Sequence, residues 1–469
     1  MLFLSIWLFR VAAALAVYLI PGIASRNDSF YQLCHFLRGP DAFVYHERAR
    51  ELAKNLGSME SYFKLLASQP WEAILATLYS VFTSHPLVAA LFGQTCLALA
   101  GMLSFSAARA AGQTKPRAIF IALIIGLWPP SFAYTFIPLR DGPVLLGVFL
   151  FLSGIINLNR PANQFNFRNA CWSLAVIAGF SLVTSLRHYL WPLLVAVGSI
   201  SLLWPALVNF IKRPKLGLAT NIVYIAVMVA VGALAVSYWQ GKMLPVGTVK
   251  AFDSGKPADD STGTLVKPFQ QAFYSLMLRR EGFIMTGGNS LSPDAKELRR
   301  YLGFPDDNQV LKRKPWKAAI LEKTDKEAGR PRYAVLGKYR YIFWHKPLDL
   351  IHLLPKSLAH LWLYPLPWQI WSNSLSQPVR LFLLAQELLW LGLLPGILLG
   401  LMYFRGGALH RVNLNLWVWC LGVLLALVVV NLGTLYRLRD MALLPAIIFF
   451  SPTPYMKFTK HIQRFPRLG

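Results

Sequence analysis

Carboxylates and guanidinia recur at a few widely separated points of this chain, each at the end of a long apolar run. Asp41 follows the first run in Gly39-Pro40-Asp41. Arg140 and Asp141 stand between the third and fourth runs, Arg187 and His188 between the fifth and sixth, and Tyr436, Arg437 and Arg439 between the ninth and tenth. A carboxylate can take or orient the proton of an attacking hydroxyl. A guanidinium grips a phosphate with two parallel hydrogen bonds and keeps its charge at any physiological pH. Charge within hydrocarbon costs on the order of 2.5–3.5 kcal/mol on insertion scales, so residues so placed are functional suspects. Singly, each Arg also fits an interfacial anchor, Asp41 a helix N-cap and His188 a hydrogen-bonded interface residue. Together, both charge signs arriving from separate turns point to a site that holds an anion and moves a proton.

The elements that must position these residues are spans. The chain has 469 residues, 55% of them hydrophobic and 14% charged, against roughly 45–50% and about 25% in a soluble domain. A soluble globular protein is excluded. The net charge of +26 would suggest nucleic acid in a soluble chain, but here the basic residues stand between apolar runs, so the partner is a membrane and not nucleic acid. The four cysteines show no paired spacing, so neither a disulfide framework nor a zinc site is indicated.

Runs of spanning length lie near 3–23, 86–108, 118–138, 142–158, 170–186, 189–210, 219–239, 378–403, 414–434 and 441–456. The expected fold is an all-α integral membrane protein, a polytopic bundle of about ten helices. The first run carries Arg10 and lacks a convincing cleavage site, so it reads as a retained helix. Short loops rich in Lys and Arg (109–117, 160–168, 212–215, 405–411, 457–467) fall on one side, which the positive-inside rule makes cytoplasmic, with both termini. The outer face then receives the loop 24–85, the turns bearing the candidate site, and the segment 240–377. Domain organisation follows: 1–239 as transmembrane core, 240–377 as an extracytoplasmic segment with interfacial helices, and 378–469 as C-terminal spans with a basic cytoplasmic tail.

Within the first outer loop, the stretch from Gly39 to Ala53 reads as a turn and then a helix, with Asp41 at its start and Tyr45, Ala49 and Leu52 on one face. Gln69-Pro70 opens an apolar stretch to Phe82, too short to cross and suited to the interface. In the late outer segment, Lys312, Arg313, Lys314 and Lys317 form a basic cluster, read either as a solvated face or as a patch for anionic lipid or polysaccharide. The aromatics and prolines of 345–368 suit a headgroup-level helix.

This layout resembles the GT-C superfamily of membrane glycosyltransferases. The residues that carry the likeness are Pro40-Asp41-x-x-x-Tyr45-x-x-x-Ala49, the Gln69-Pro70 segment, a spanning pair with Asp141 at its outer turn, and Asn431-Leu432-Gly433-Thr434-Leu435-Tyr436-Arg437-Leu438-Arg439. The nearest branch is that of the protein mannosyltransferases and aminoarabinose transferases, which use polyprenyl-phosphate sugars. The resemblance implies Asp41 as catalytic base or acceptor-orienting group and Asp141 as second acidic group. It implies Arg437 and Arg439, beside Tyr436, at the lipid phosphate; Arg140, Arg187 and His188 are further substrate-binding candidates from their own place at the outer turns. Partners would be a polyprenyl-phosphate-linked sugar, membrane lipids and a glycan, lipid or protein acceptor. The adjacent acidic pair common in that family is not reproduced, since Asp41 is followed by Ala42 and its nearest carboxylate is Glu47. A divalent metal therefore stays open, with no ligand cluster to indicate one. A polymerase or ligase using a diphosphate-linked donor, a transporter or flippase of lipid-linked oligosaccharide, and a non-catalytic membrane scaffold are the competing classes. The break at Trp128-Pro129-Pro130 keeps transport among them.

Overall fold

The computed structural model describes residues 1–19, 40–54, 59–159, 167–187, 190–191, 193–201, 350–363, 366–371, 377–403, 408–429 and 432–451. The expected span 219–239, half of 189–210 (189, 192 and 202–210), His188, the cluster Lys312 to Lys317 and the basic tail lie outside the described residues. Among the described residues the regular elements are helical, with no strand. Five helices are long and apolar enough to cross a membrane: Leu2–Leu19, Pro86–Ala110, Asp141–Leu158, Phe167–Leu186 and Leu383–Met402 within a longer helix. They correspond to the expected runs 3–23, 86–108, 142–158, 170–186 and 378–403. Run length is read directly from hydropathy because a helix satisfies its own backbone in lipid.

The described residues fall into two units. The first contains α1 (Leu2–Leu19), α2 (Pro40–Lys54), α3 (Met59–Ser68), α4 (Pro70–Val81), α5 (Pro86–Ala110), α6 (Lys115–Gly126), α7 (Pro129–Thr135), α8 (Asp141–Leu158) and α9 (Phe167–Leu186). Helix α5 packs against α1, α6 and α8, while α8 also packs along α9 and α2 lies on α4. The α8 and α9 backbones approach closely through glycine. A Cβ on Gly179 would stand 2.5 Å from the Gly147 carbonyl oxygen and 2.5 Å from the Phe151 amide nitrogen. Small residues are what permit such contact where no hydrophobic driving force separates helix from lipid.

Helix α5 ends in a Schellman turn. Gly112 adopts φ 91°, Gln113 N–H donates to the Ala108 carbonyl at 2.9 Å and Gly112 N–H to that of Arg109 at 3.2 Å. Only glycine takes that φ without strain, so the chain reverses here into α6.

The expected run 118–138 is two short helices instead of one. Pro129 and Pro130 lack amide donors, and Trp128 is held out of helical conformation before them (φ −55°, ψ 116°). Arg10, wholly buried in α1, clamps the break. Its guanidinium donates to the Gly126 carbonyl at 2.7 Å, to Ser131 Oγ at 3.3 Å and to Thr135 Oγ1 at 3.2 Å. It also lies 4.0 Å from the centre of the Phe132 ring. A carbonyl freed by proline inside an apolar bundle is thus satisfied by a charge-assisted bond.

Helix α12 (Gln377–Tyr403) and the start of α13 (Ala408–Val428) also belong to the first unit, as does the 3-10 turn Leu444–Phe449. Gln113 Nε2 donates to the Ile448 carbonyl at 3.1 Å, and Trp417 Nε1 to that of Met441 at 2.9 Å. The second unit holds α10 (Leu350–Leu363), α11 (Pro367–Trp371), the remainder of α13, and α14 (Leu432–Leu443) up to Arg439. In it the Trp362 and Trp419 rings meet with centres 5.4 Å apart.

Two expectations change at this end of the chain. The run 414–434 divides between α13 and α14. The stretch Tyr436 to Asp440, expected as a turn between two spans, lies inside α14, and 441–456 opens as the end of that helix followed by the 3-10 turn. Nothing between Leu432 and Leu443 breaks a helix, and Pro445 tightens the chain only after it.

Candidate functional site

Helix α2 begins at Pro40, whose fixed φ suits a first helical position. Asp41 therefore lies within the first turn and not at the N-cap as expected, and its side chain is exposed. A carboxylate there is favoured by the helix dipole. Tyr45 follows one turn later on the same face.

Arg140 immediately precedes α8. Its Nη1 donates to the Leu186 carbonyl at 3.0 Å, tying the start of α8 to the end of α9. Its guanidinium carbon stands 6.0 Å from the centre of the Tyr45 ring, within cation–π range. Asp141, first residue of α8, is buried, and its Oδ1 accepts from Arg187 Nη2 at 2.7 Å. Arg187, just past α9, is itself only 6% exposed.

These segments converge on Tyr45. Burial raises its phenol above the usual range; Arg140 pulls it down, Asp41 raises it, Arg187 lowers it and Glu72 raises it. Four charged side chains, from α2, α4, the residue before α8 and the residue after α9, thus act on one hydroxyl. The sequence-predicted residues Asp41, Arg140, Asp141 and Arg187 are gathered here within the first unit. Asp41 is open to solvent while Asp141 is committed to Arg187, so the two carboxylates stand in different environments.

Helix α4 holds the floor of this region. Trp71 Nε1 donates to the Pro138 carbonyl at 2.9 Å, linking α4 to the segment before Arg140. Glu72, beside it, is buried and faces Arg48 at 3.8 Å; the Arg48 side chain is 57% exposed. His46, also buried, shares a hydrogen bond of 2.9 Å between Nδ1 and the Tyr79 hydroxyl. Burial, then the charge of Arg50, then His85 push its pKa down to about 4, so its ring is neutral at physiological pH. Arg48, Glu51, Leu52 and Gln69 line an open cleft of 420 Å³ between α2 and the start of α4.

Of the other predicted residues, His188 and the side chains of Tyr436 and Arg437 lie outside what is described. Arg439 is buried in the part of α14 that belongs to the second unit. Among the described residues, no three of His, Cys, Asp and Glu are grouped so as to hold a metal ion.

Tyr45 as a convergence point, Glu72, and the His46 to Tyr79 pair were not singled out from sequence. A signal existed for Glu72, a lone carboxylate in the first turn of a short apolar helix. Tyr45 was visible in Pro40-Asp41-x-x-x-Tyr45 and on a face with Ala49 and Leu52, without a charge to mark a role, whereas His46 and Tyr79 carried no signal beyond an ordinary amphipathic pattern. No family model matches the chain, and no curated protein and no solved structure matches it either.

Proposed function

We propose that the protein is a polytopic glycosyltransferase of GT-C type. It would move a sugar from a polyprenyl-phosphate-linked donor to a lipid, glycan or protein acceptor at the outer face of the plasma (inner) membrane, in cell-envelope or exopolysaccharide synthesis. The observation that carries this reading is the gathering of an exposed carboxylate, Asp41, with Arg140 and the Arg187 to Asp141 pair around Tyr45.

In the proposed reaction Asp41 accepts the proton of the acceptor hydroxyl as its oxygen forms the new bond to the sugar's anomeric carbon. The anomeric carbon's bond to the phosphate oxygen breaks, and polyprenyl phosphate departs with the electron pair. Arg140 stabilises the charge that develops on that phosphate. Asp141 is a positioning residue that holds the Arg187 guanidinium in place.

The broken span at Trp128 is the observation that favours transport instead, since interrupted helices present free backbone to cargo. Here, however, Arg10 already occupies the Gly126 carbonyl, which supports a fixed bend over a binding break.

The deciding experiment is transfer of labelled sugar from polyprenyl-phosphate donors in membranes bearing wild type or Asp41→Asn at equal level. Transfer by wild type and its loss in the variant, by the roughly hundred-fold or more that removal of a general base costs, is expected. Full activity of Asp41→Asn reduces Asp41 to a helix-end charge, and failure of wild type with monophosphate and diphosphate donors alike overturns the transferase reading.

A further inference from the structure

We infer that the Tyr45 hydroxyl is a binding group for the donor's phosphate, donating a hydrogen bond to a lipid-linked phosphate (the diester of the donor and the monoester that it leaves) held beside Arg140. The inference rests on the transferase reading and adds a residue that the family resemblance does not assign.

Three observations carry it. First, Tyr45 is half-buried on α2, and among the described residues its hydroxyl has no hydrogen-bond partner. A buried phenol ordinarily finds one, so a donor left at the edge of solvent is available to a ligand. Second, Arg140 lies against the ring at 6.0 Å while Arg187 is fixed nearby by Asp141 at 2.7 Å. An O–H donor beside the Arg140 guanidinium is complementary to an oxyanion, with Asp41 and Glu72 the opposing charges that also act on the phenol. Third, Asp41 lies one helical turn before Tyr45 on the same helix. A phosphate at Tyr45 therefore places the anomeric carbon that it carries towards the carboxylate assigned to the acceptor. The phenol also keeps its proton: burial raises it above its ordinary range, so it donates throughout the physiological interval.

Other readings of this hydroxyl are weaker. As a nucleophile it would need to lose that proton, against the direction in which burial moves it. As a purely structural group it would bond solvent, a reading that gives the neighbouring Arg140 no part.

The test uses the full chain purified in detergent, comparing wild type with Tyr45→Phe, which keeps the ring and its contact with Arg140 and removes only the hydroxyl. Undecaprenyl phosphate is the probe, with inorganic phosphate as the second arm. Loss of one hydrogen bond to a charged group predicts binding of undecaprenyl phosphate about ten- to hundred-fold weaker, at an unchanged melting temperature. With labelled donor, KM rises by a similar factor while kcat stays within a few-fold, a split that a structural role would not produce. Inorganic phosphate is expected to bind wild type at least ten-fold more weakly than the lipid; equal binding overturns the lipid-linked source. Equal affinity of Tyr45→Phe and wild type overturns the role of Tyr45 alone, whereas a wild type that binds no undecaprenyl phosphate overturns the transferase reading beneath it.

Discussion

Replacing Asp141 by Leu leaves the Arg187 guanidinium, only 6% exposed, without the oxygen that stands 2.7 Å from it. Breaking a buried pair from one side costs about 3–5 kcal/mol, because the remaining charge has lost its water and its counter-charge. Replacing both partners by apolar side chains of similar volume is close to neutral or stabilising. Asp141→Leu and Arg187→Met should therefore each lower the unfolding free energy by about 3–5 kcal/mol. The double variant Asp141→Leu with Arg187→Met should recover most of that loss, giving a coupling energy of at least about 3 kcal/mol in a double-mutant cycle. The hydrogen bond from Arg140 to the Leu186 carbonyl survives in all of them, so the junction between α8 and α9 stays tied. Detergent-solubilised protein titrated with SDS and followed by tryptophan fluorescence supplies the four free energies. A single variant within about 1 kcal/mol of wild type would put the pair in the regime of solvent-exposed bridges. A double variant no more stable than the weaker single would equally refute the argument that an uncompensated buried charge is the cost.

Gly179→Ala should lower stability by about 1–3 kcal/mol, because its Cβ would land 2.5 Å from backbone atoms of α8 that cannot rotate away. Gly392→Ala, with nothing within 4 Å of its Cβ among the described residues, should be neutral or mildly stabilising in the same titration, and equal effects at the two sites would contradict the close-approach account. His46 gives a pH prediction. The unfolded ring binds a proton near 6.5 and the native ring only near 4, so the unfolded state holds more protons between those values. Stability is then unaffected by His46 above pH 6.5, falls as pH drops from 6.5 towards 4, and levels below it. Unfolding midpoints measured at pH 7 and 4.5 should differ more in wild type than in His46→Gln, and identical differences would place the ring in water.

The spans α1, α5, α8, α9 and α12 were legible as runs of apolar residues, since crossing a bilayer is a matter of length along one chain. The bend after Gly126 was legible as Trp128-Pro129-Pro130, and the helix after Gly39 as a turn followed by an amphipathic pattern. Nothing in that linear signal tells that Arg10 satisfies a carbonyl 116 residues away. The Tyr436 to Asp440 stretch shows the limit from the other side. Its charges interrupted the hydropathy and suggested a turn, yet helix formation depends on backbone geometry that Arg and Asp accept, so α14 continues through them.

The candidate site divides in the same way. Residue types alone identified Asp41, Arg140, Asp141 and Arg187, because charge at the end of an apolar run is costly wherever the rest of the chain goes. That Asp141 belongs to Arg187 and Asp41 to solvent was decided by tertiary structure. Partners 46 residues apart meet only because Gly147 and Gly179 let α8 and α9 close upon each other. Tyr45 became a meeting point only when α2 settled on α4 and Trp71 bound the carbonyl of Pro138. Hydropathy acts locally and is written in order along the chain. Ion pairing and desolvation act through space, and they take their values only once the helices have packed.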